Sequence, residues 1–319
     1  FLGLATLYGL TFEYAHGLGW LRDQGLVVLL GTLGLAALPR LWGQVSDPWL
    51  APSLLPRGVA ATFIAPVFVF GLIAGGLDAR PAAPPPGDVL RVATYHVNHG
   101  YDAGGHLQLG LAAQTIAAAA PDVVLLQEVE AGHPASFGID QVTFLARRLD
   151  MYAVYYPTVE QLRGLAILSR WPLSGAGGLL LPGEGEQLGA LRAVLPLDAA
   201  SGRSLTLVNT RLAAGDEAAK LGQIGVLLGL LGESRPAVLG GDLAMAPEEE
   251  AFRQLLMLGL TDADVALGLE GGYTVPAEAP TVRHDYVLLR DLEPLDSRQV
   301  QSAASDHRLV VVEMRWHSD

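Results

Sequence analysis

Directly after a long apolar block, the sequence sets down Asp78-Ala-Arg-Pro-Ala-Ala-Pro-Pro-Pro-Gly-Asp88. Proline fixes φ and removes a backbone donor, so no helix crosses this stretch, and it extends as polyproline II. The chain is therefore expected to form two units on either side of a spacer. They are an apolar region at 1–77 and a globule at 89–319, joined by a linker at 78–88.

Residues 1–77 carry three apolar runs, Phe1 to Trp20, Leu26 to Trp42 and Val59 to Leu77. Each is roughly 17 to 20 residues long, the length a helix needs to span a hydrocarbon core of about 30 Å. The third contains no charge, and its Pro66 is expected to kink a membrane helix without ending it. Arg22, Asp23, Arg40, Asp47 and Arg57 separate the runs. Three runs in series do not fit a cleavable signal peptide, so about three transmembrane helices are expected. The first residue is a Phe already inside an apolar run, so further chain is expected upstream. Arg40 and Arg57 balance Arg22 and Arg80, which leaves the orientation undetermined. Glu13 and His16 lie in the first run about one helical turn apart, and a helix–helix contact is the expected use of such a pair.

Charge narrows the partners. The formal net charge of -13, with a single lysine at Lys220, argues against a nucleic-acid ligand, which is met by clustered basic residues. The absence of cysteine removes disulfides and thiolate metal sites but leaves the compartment open.

Beyond the linker, short β-type runs alternate with helical ones. Strands are expected at 89–96, 123–127, 151–156, 166–169, 190–196, 204–209, 237–239, 285–289 and 309–315, and helices at 110–120, 141–149, 221–231 and 248–258. Helices between some strands and hairpins between others imply two mixed sheets packed together with helices outside. Polar residues gather at the strand ends: Tyr95-His-Val-Asn-His-Gly100, Gln127-Glu128, Asn209-Thr-Arg211, Gly240-Gly-Asp242, Arg283-His-Asp-Tyr286 and Ser305-Asp-His307. Singly, each admits a structural role, such as a helix cap at Asp242 or a surface acid at Glu128. Gathered in one cleft, they make a site on a rigid scaffold.

The ordered series Pro121-Asp-Val-Val-Leu-Leu-Gln-Glu-Val129, Gly164-Leu-Ala-Ile-Leu-Ser-Arg-Trp-Pro172, Leu207-Val-Asn-Thr-Arg-Leu212, Gly240-Gly-Asp242, His284-Asp-Tyr286 and Ser305-Asp-His307 resembles the endonuclease/exonuclease/phosphatase superfamily. The resemblance covers about Leu90 to Glu313 and implies a four-layer α/β sandwich that hydrolyses phosphoesters with a divalent metal. His99-Gly-Tyr-Asp102 and Gly138-Ile-Asp-Gln141 are similar to a membrane-associated branch related to the C-terminal domain of the GPI-lipid remodelling protein Cwh43. That likeness, with the apolar region, implies an integral membrane protein with its globule on one side; the side stays undetermined, the resemblance slightly favouring the extracytoplasmic one.

Hydrolysis of a phosphodiester by water builds charge on the phosphoryl oxygens, which a cation and hydrogen-bond donors stabilise while a base serves the water. The resemblance assigns metal ligation to Glu128, with Asp306 assisting the metal or the imidazole. It gives the water-activating carboxylate to Asp242, and phosphoryl stabilisation to His307 steadied by Asp285. It also marks four departures. His96, Leu165 and Ala244 stand where the family has Asn, and Arg211 where it has His. Leu165 and Ala244 bring no side-chain donor. Arg308-Leu309 follows the Ser-Asp-His motif where a proline usually comes second. His96 and Arg211 admit a substrate-binding reading, and His96 a metal-ligand one that favours Mn²⁺ or Zn²⁺ over Mg²⁺. Two functions follow. One is a catalytically impaired domain acting as an accessory or structural subunit of a membrane assembly. The other is a Mg²⁺- or Mn²⁺-dependent phosphoesterase acting on a membrane-lipid head group or small phosphoester.

Overall fold

The computed structural model describes residues 86–198, 203–215, 217–269 and 272–316. The three expected spans lie outside the described residues, and among these no helix is long and apolar enough to cross a membrane. The first strand begins at Val89, directly after the linker.

Two six-stranded sheets make up the domain. The first has the order β11-β12-β1-β2-β4-β3, with β1 Val89–His96, β2 Val123–Glu130, β3 Tyr152–Val159, β4 Arg163–Ser169, β11 Glu293–Val300 and β12 Leu309–Arg315. The second has the order β5-β6-β7-β8-β10-β9, with β5 Ser174–Leu180, β6 Gly189–Asp198, β7 Arg203–Arg211, β8 Ala237–Asp242, β9 Thr261–Asp262 and β10 Asp285–Arg290. The helices are α1 Leu109–Ala119, α2 Gln141–Arg148, α3 Glu217–Leu231, α4 Glu250–Met257 and the short α5 Ala263–Ala266. The described residues thus form the mixed α/β sandwich that the sequence implies.

Each sheet contains a parallel pair, β1 with β2 and β7 with β8. A parallel pair needs a crossover, and α1 and α3 supply one each. The crossovers cover the outer faces. Ala112, Ala113 and Ile116 of α1 pack with Ala93, Tyr95 and Val124 on the first sheet. Ile224 and Leu227 of α3 pack with Val208 and Leu239 on the second. The inner faces meet in a third apolar layer that includes Val92, Leu125, Ile167, Leu191, Leu207, Val238 and Val287. Buried on both sides, the central strands read as near-continuous apolar runs.

Local chemistry sets the ends of the elements. Ala120 takes a left-handed conformation (φ 49°) to stop α1, and Pro121 follows it. The Asp140 side chain caps α2 by accepting from Thr143 N at 3.0 Å, and Arg147 and Arg148 face the negative end of the helix dipole.

Candidate functional site

The parallel pairs carry the site at their carboxyl ends, where a βαβ unit opens its loops to ligands. In the second sheet three of its residues stand side by side on adjacent strands. Asp242, ending β8, is in register with Arg211 at the end of β7 and with Asp285 at the start of β10. The double glycine before Asp242 is a packing requirement. A Cβ at Gly240 would stand 2.7 Å from Leu125 Cδ1 across the sandwich. Gly241 has φ +144° and would place a Cβ 1.9 Å from Thr210 O.

In the first sheet His96 ends β1. Glu128 sits where the β2–β4 register shifts between Leu126 and Val129, with φ 52°. A left-handed residue other than glycine costs on the order of 1 kcal/mol, and such strain collects at functional sites. Beneath the cleft, Asn209 of β7 reaches across the sandwich. Its Nδ2 donates to Leu126 O at 2.8 Å and Ala166 O at 2.9 Å, and its Oδ1 accepts from Gln127 Nε2 at 2.7 Å. Asn209, one of the polar strand tips, is thus a buried staple between the sheets. Ser305 ties the last loop to β1 by donating to His96 O at 2.6 Å, and accepts from His307 N at 3.1 Å.

These supports bring the expected residues into one charged network. His96 is 4 % exposed and lies between two carboxylates, with Nδ1 3.0 Å from Asp242 Oδ2 and Nε2 3.0 Å from Glu128 Oε2. Burial works to lower its pKa, but the hydrogen bonds to Asp242 and Glu128 outweigh burial and push it up to about 10. His96 is therefore an imidazolium at neutral pH. Glu128 Oε1 accepts from Arg211 Nη2 at 2.7 Å, and His99 Nε2 lies 3.1 Å from its Oε2. Although burial opposes ionisation, His96, Arg211 and His99 hold Glu128 far below the usual carboxylate range. Asp242 is likewise lowered against its burial, by His96 first, then His307 and Arg211. Burial keeps His99 below the ordinary imidazole value in spite of Glu128 and Glu130.

The remaining members complete the cleft. His307 Nδ1 is 2.8 Å from Asp285 Oδ2, and its ring stacks on His96 with centroids 4.1 Å apart. His284 lies against the same ring at 5.9 Å and holds Nδ1 4.0 Å from Asp242 Oδ1, an oxygen that is buried without a hydrogen bond. Arg211 Nη1 reaches Glu186 Oε2 at 2.6 Å. Leu165 is buried in the layer between the sheets. Ala244 has φ 47°, and its N–H donates to His284 O at 3.3 Å.

The Mg²⁺ or Mn²⁺ implied by resemblance fits poorly at Glu128, the metal carboxylate that the resemblance assigns. Hard cations take free carboxylate oxygens, and both oxygens of Glu128 already face cationic or N–H groups. Among the described residues, His96, Asp306 and His307 bring one ligand atom each within 4.8 Å of one another. Yet both nitrogens of His96 point at carboxylates, which leaves no lone pair for a metal while the ring is protonated. Asp306 thus groups with His96 and His307, and Glu128 with His96, His99 and Arg211.

His99, His284 and Glu186 join the site without having been singled out from sequence. The two histidines stand inside quoted strand-tip stretches. Glu186 lies in an acidic glycine-rich loop that gives no sequence signal.

Among curated proteins no relative matches the chain. Solved structures share the fold. An endonuclease/exonuclease/phosphatase from Beutenbergia cavernae is 24% identical with a TM-score of 0.59, covering 73% of this chain and 72% of its own. The human Nocturnin catalytic domain with bound sulfate is 21% identical with a TM-score of 0.58, covering 72% and 94%. A mannosyl-6-phosphatase from Bacteroides thetaiotaomicron is 15% identical with a TM-score of 0.55, covering 71% and 100%. The profile of the Endonuclease/Exonuclease/phosphatase family matches residues 93–307, so the chain belongs to that family.

Proposed function

We propose that this chain is a membrane-anchored member of the family whose cleft no longer supports metal-dependent hydrolysis, and that it serves as an accessory subunit of a membrane assembly. One observation carries the reading. Glu128, the family's metal carboxylate by resemblance, faces Arg211 at 2.7 Å through one oxygen and His96 at 3.0 Å through the other. The guanidinium and the imidazolium supply the positive charge that a divalent ion brings elsewhere. They are fixed charges with no exchangeable water, so they neutralise the carboxylates without generating a nucleophile. Leu165 and Ala244 add no donor for a phosphoryl oxygen, and one missing donor of that kind costs about 10²- to 10³-fold in rate. The apolar runs of 1–77 support the anchor, and the likeness to the GPI-lipid remodelling branch supports placement in a membrane assembly.

A second reading, a phosphoesterase on a lipid head group or small phosphoester, draws support from the buried Asp285–His307 pair at 2.8 Å. The phosphatase among the structural neighbours also favours it.

Purification of the full chain in mild detergent separates the two. Stoichiometric partner proteins by mass spectrometry are expected. With Mg²⁺ or Mn²⁺, hydrolysis of bis(p-nitrophenyl) phosphate is expected to stay at the level of Asp242→Ala. A homogeneous monomer whose turnover disappears in Asp242→Ala overturns the first reading and establishes the second.

A further inference from the structure

The edge of a sheet leaves a row of backbone N–H and C=O groups that a further strand can take up. Among the described residues the sandwich has four edges, β11 and β3 in one sheet and β5 and β9 in the other. Three are blunted. β11 carries Glu293, Asp296 and Arg298 with Pro294 at a bulge, β3 carries Pro157 at a bulge, and β9 is two residues long. β5, Ser174–Leu180, has no charge and no proline, and it is exposed everywhere but at Gly178. Its register against β6 shifts between Ser174 and Gly177, after which Gly177 to Leu180 pair regularly with Arg192 to Gly189.

The glycines of β5 are explained only in part by its own domain. Gly178 faces inward, where a Cβ would stand 2.3 Å from the Tyr156 ring of β3. Gly177 faces the other way. A Cβ there meets nothing within 4 Å, and its φ lies outside the left-handed region. Glycine weakens a strand interior and marks the place where another backbone comes close. Leu179, on the same face as Gly177, is 43 % exposed, and Leu180 is 48 % exposed.

We propose that β5 is a self-association edge, pairing antiparallel with β5 of a second copy of this chain about a twofold axis through Gly178. In that register Gly177 stands opposite Leu179 of the second copy, and Ala176 opposite Leu180. Each exposed leucine thus lies against a position with little or no side chain. The ends are complementary as well. The entry to β5 carries Arg170, whose side chain is 48 % exposed, and the exit carries the exposed Glu184. Antiparallel pairing brings the entry of one copy to the exit of the other, so unlike charges meet. Parallel pairing sets leucine against leucine and carboxylate against carboxylate. This complementarity of β5 with itself selects a second copy over a foreign strand. One short strand pair buries less than a standard interface of about 1,600 Å², so a micromolar Kd is expected. The inference goes beyond the proposed function and does not depend on what the cleft binds.

The test uses the full chain in mild detergent, with energy transfer between labelled copies. Two copies per particle are expected at tens of micromolar. Gly177→Lys adds a side chain where the domain has open space, so its urea midpoint is expected to hold while the Kd for self-association rises about tenfold or more. The chain has no cysteine, so introduced ones report alone. Under oxidant, a mixture of Gly177→Cys and Leu179→Cys chains is expected to cross-link faster than either variant by itself. Opposed residues of an antiparallel pair stand about 4.5 to 5.5 Å apart, within disulfide reach. This cross-link decides the question even where the lysine variant lowers the midpoint. A monomer at tens of micromolar, a Kd unchanged in Gly177→Lys, or mixed cross-linking no faster than self-cross-linking overturns the proposal. A foreign protein linked through position 177, with no second copy present, overturns it as well.

Discussion

At the scale of single residues, His96 concentrates the electrostatics of the cleft. One imidazolium stands between Glu128 and Asp242, both largely desolvated. Removing one member of a buried charge pair leaves the partner uncompensated, so His96→Gln is expected to destabilise the domain by about 3 kcal/mol near neutral pH. The sign of the pH dependence follows from the direction of the shift. A folded-state pKa raised to about 10 from 6.5 means that the stabilisation is complete below 6.5 and is lost as pH rises through about 10. The carboxylates act in the opposite sense, since their lowered pKa values give stability that is lost only in acid. Urea midpoints of the unaltered chain and His96→Gln are therefore expected to converge between pH 7 and 10. Parallel curves across that range exclude a protonated His96. Gly241 makes a second demand at this scale. Gly241→Ala is expected to cost at least about 3 kcal/mol, because no side chain can yield at a contact with the backbone oxygen of Thr210.

At the scale of elements, the two βαβ units decide where chemistry is available. β1 and β2 deliver His96 and Glu128 from one sheet, while β7 and β8 deliver Arg211 and Asp242 from the other. Asn209 holds the two ends together by filling carbonyls of β2 and β4 from β7. Asn209→Ala leaves Leu126 O and Ala166 O without this donor and Gln127 without this acceptor, all in a dry layer. The expected loss is about 3 kcal/mol by chemical denaturation. A loss below about 1 kcal/mol shows that the sheets register without the staple. Of the elements that sequence missed, the two longest strands share a cause. β5, Ser-Gly-Ala-Gly-Gly-Leu-Leu, is an edge strand too rich in glycine to show β propensity, and β11, Glu-Pro-Leu-Asp-Ser-Arg-Gln-Val, is an edge strand too polar. Neither belongs to the apolar centre that drives strand patterning.

At the scale of the molecule, the globule carries three apolar layers and a complete pair of sheets within the described residues. A chain starting at Asp88 is therefore expected to unfold cooperatively and to stay in solution without detergent. Denaturation followed by circular dichroism, with light scattering, tests that division. A protein that aggregates without residues 1–87 contradicts it. The sequence by itself determined the two-sheet architecture and the order of the polar tips. Hydrophobic runs and turn residues act over a few positions, and the family motifs keep their order along the chain. Only the tertiary structure decided what the tips do to one another. Glu128 and Arg211 are far apart in sequence and become an ion pair because two sheets converge. Glu186 carries no motif and enters the site because a loop folds back over Arg211. Charge compensation acts through space over a few ångströms, so residue types and spacings alone could not reveal that this cleft supplies its own cations.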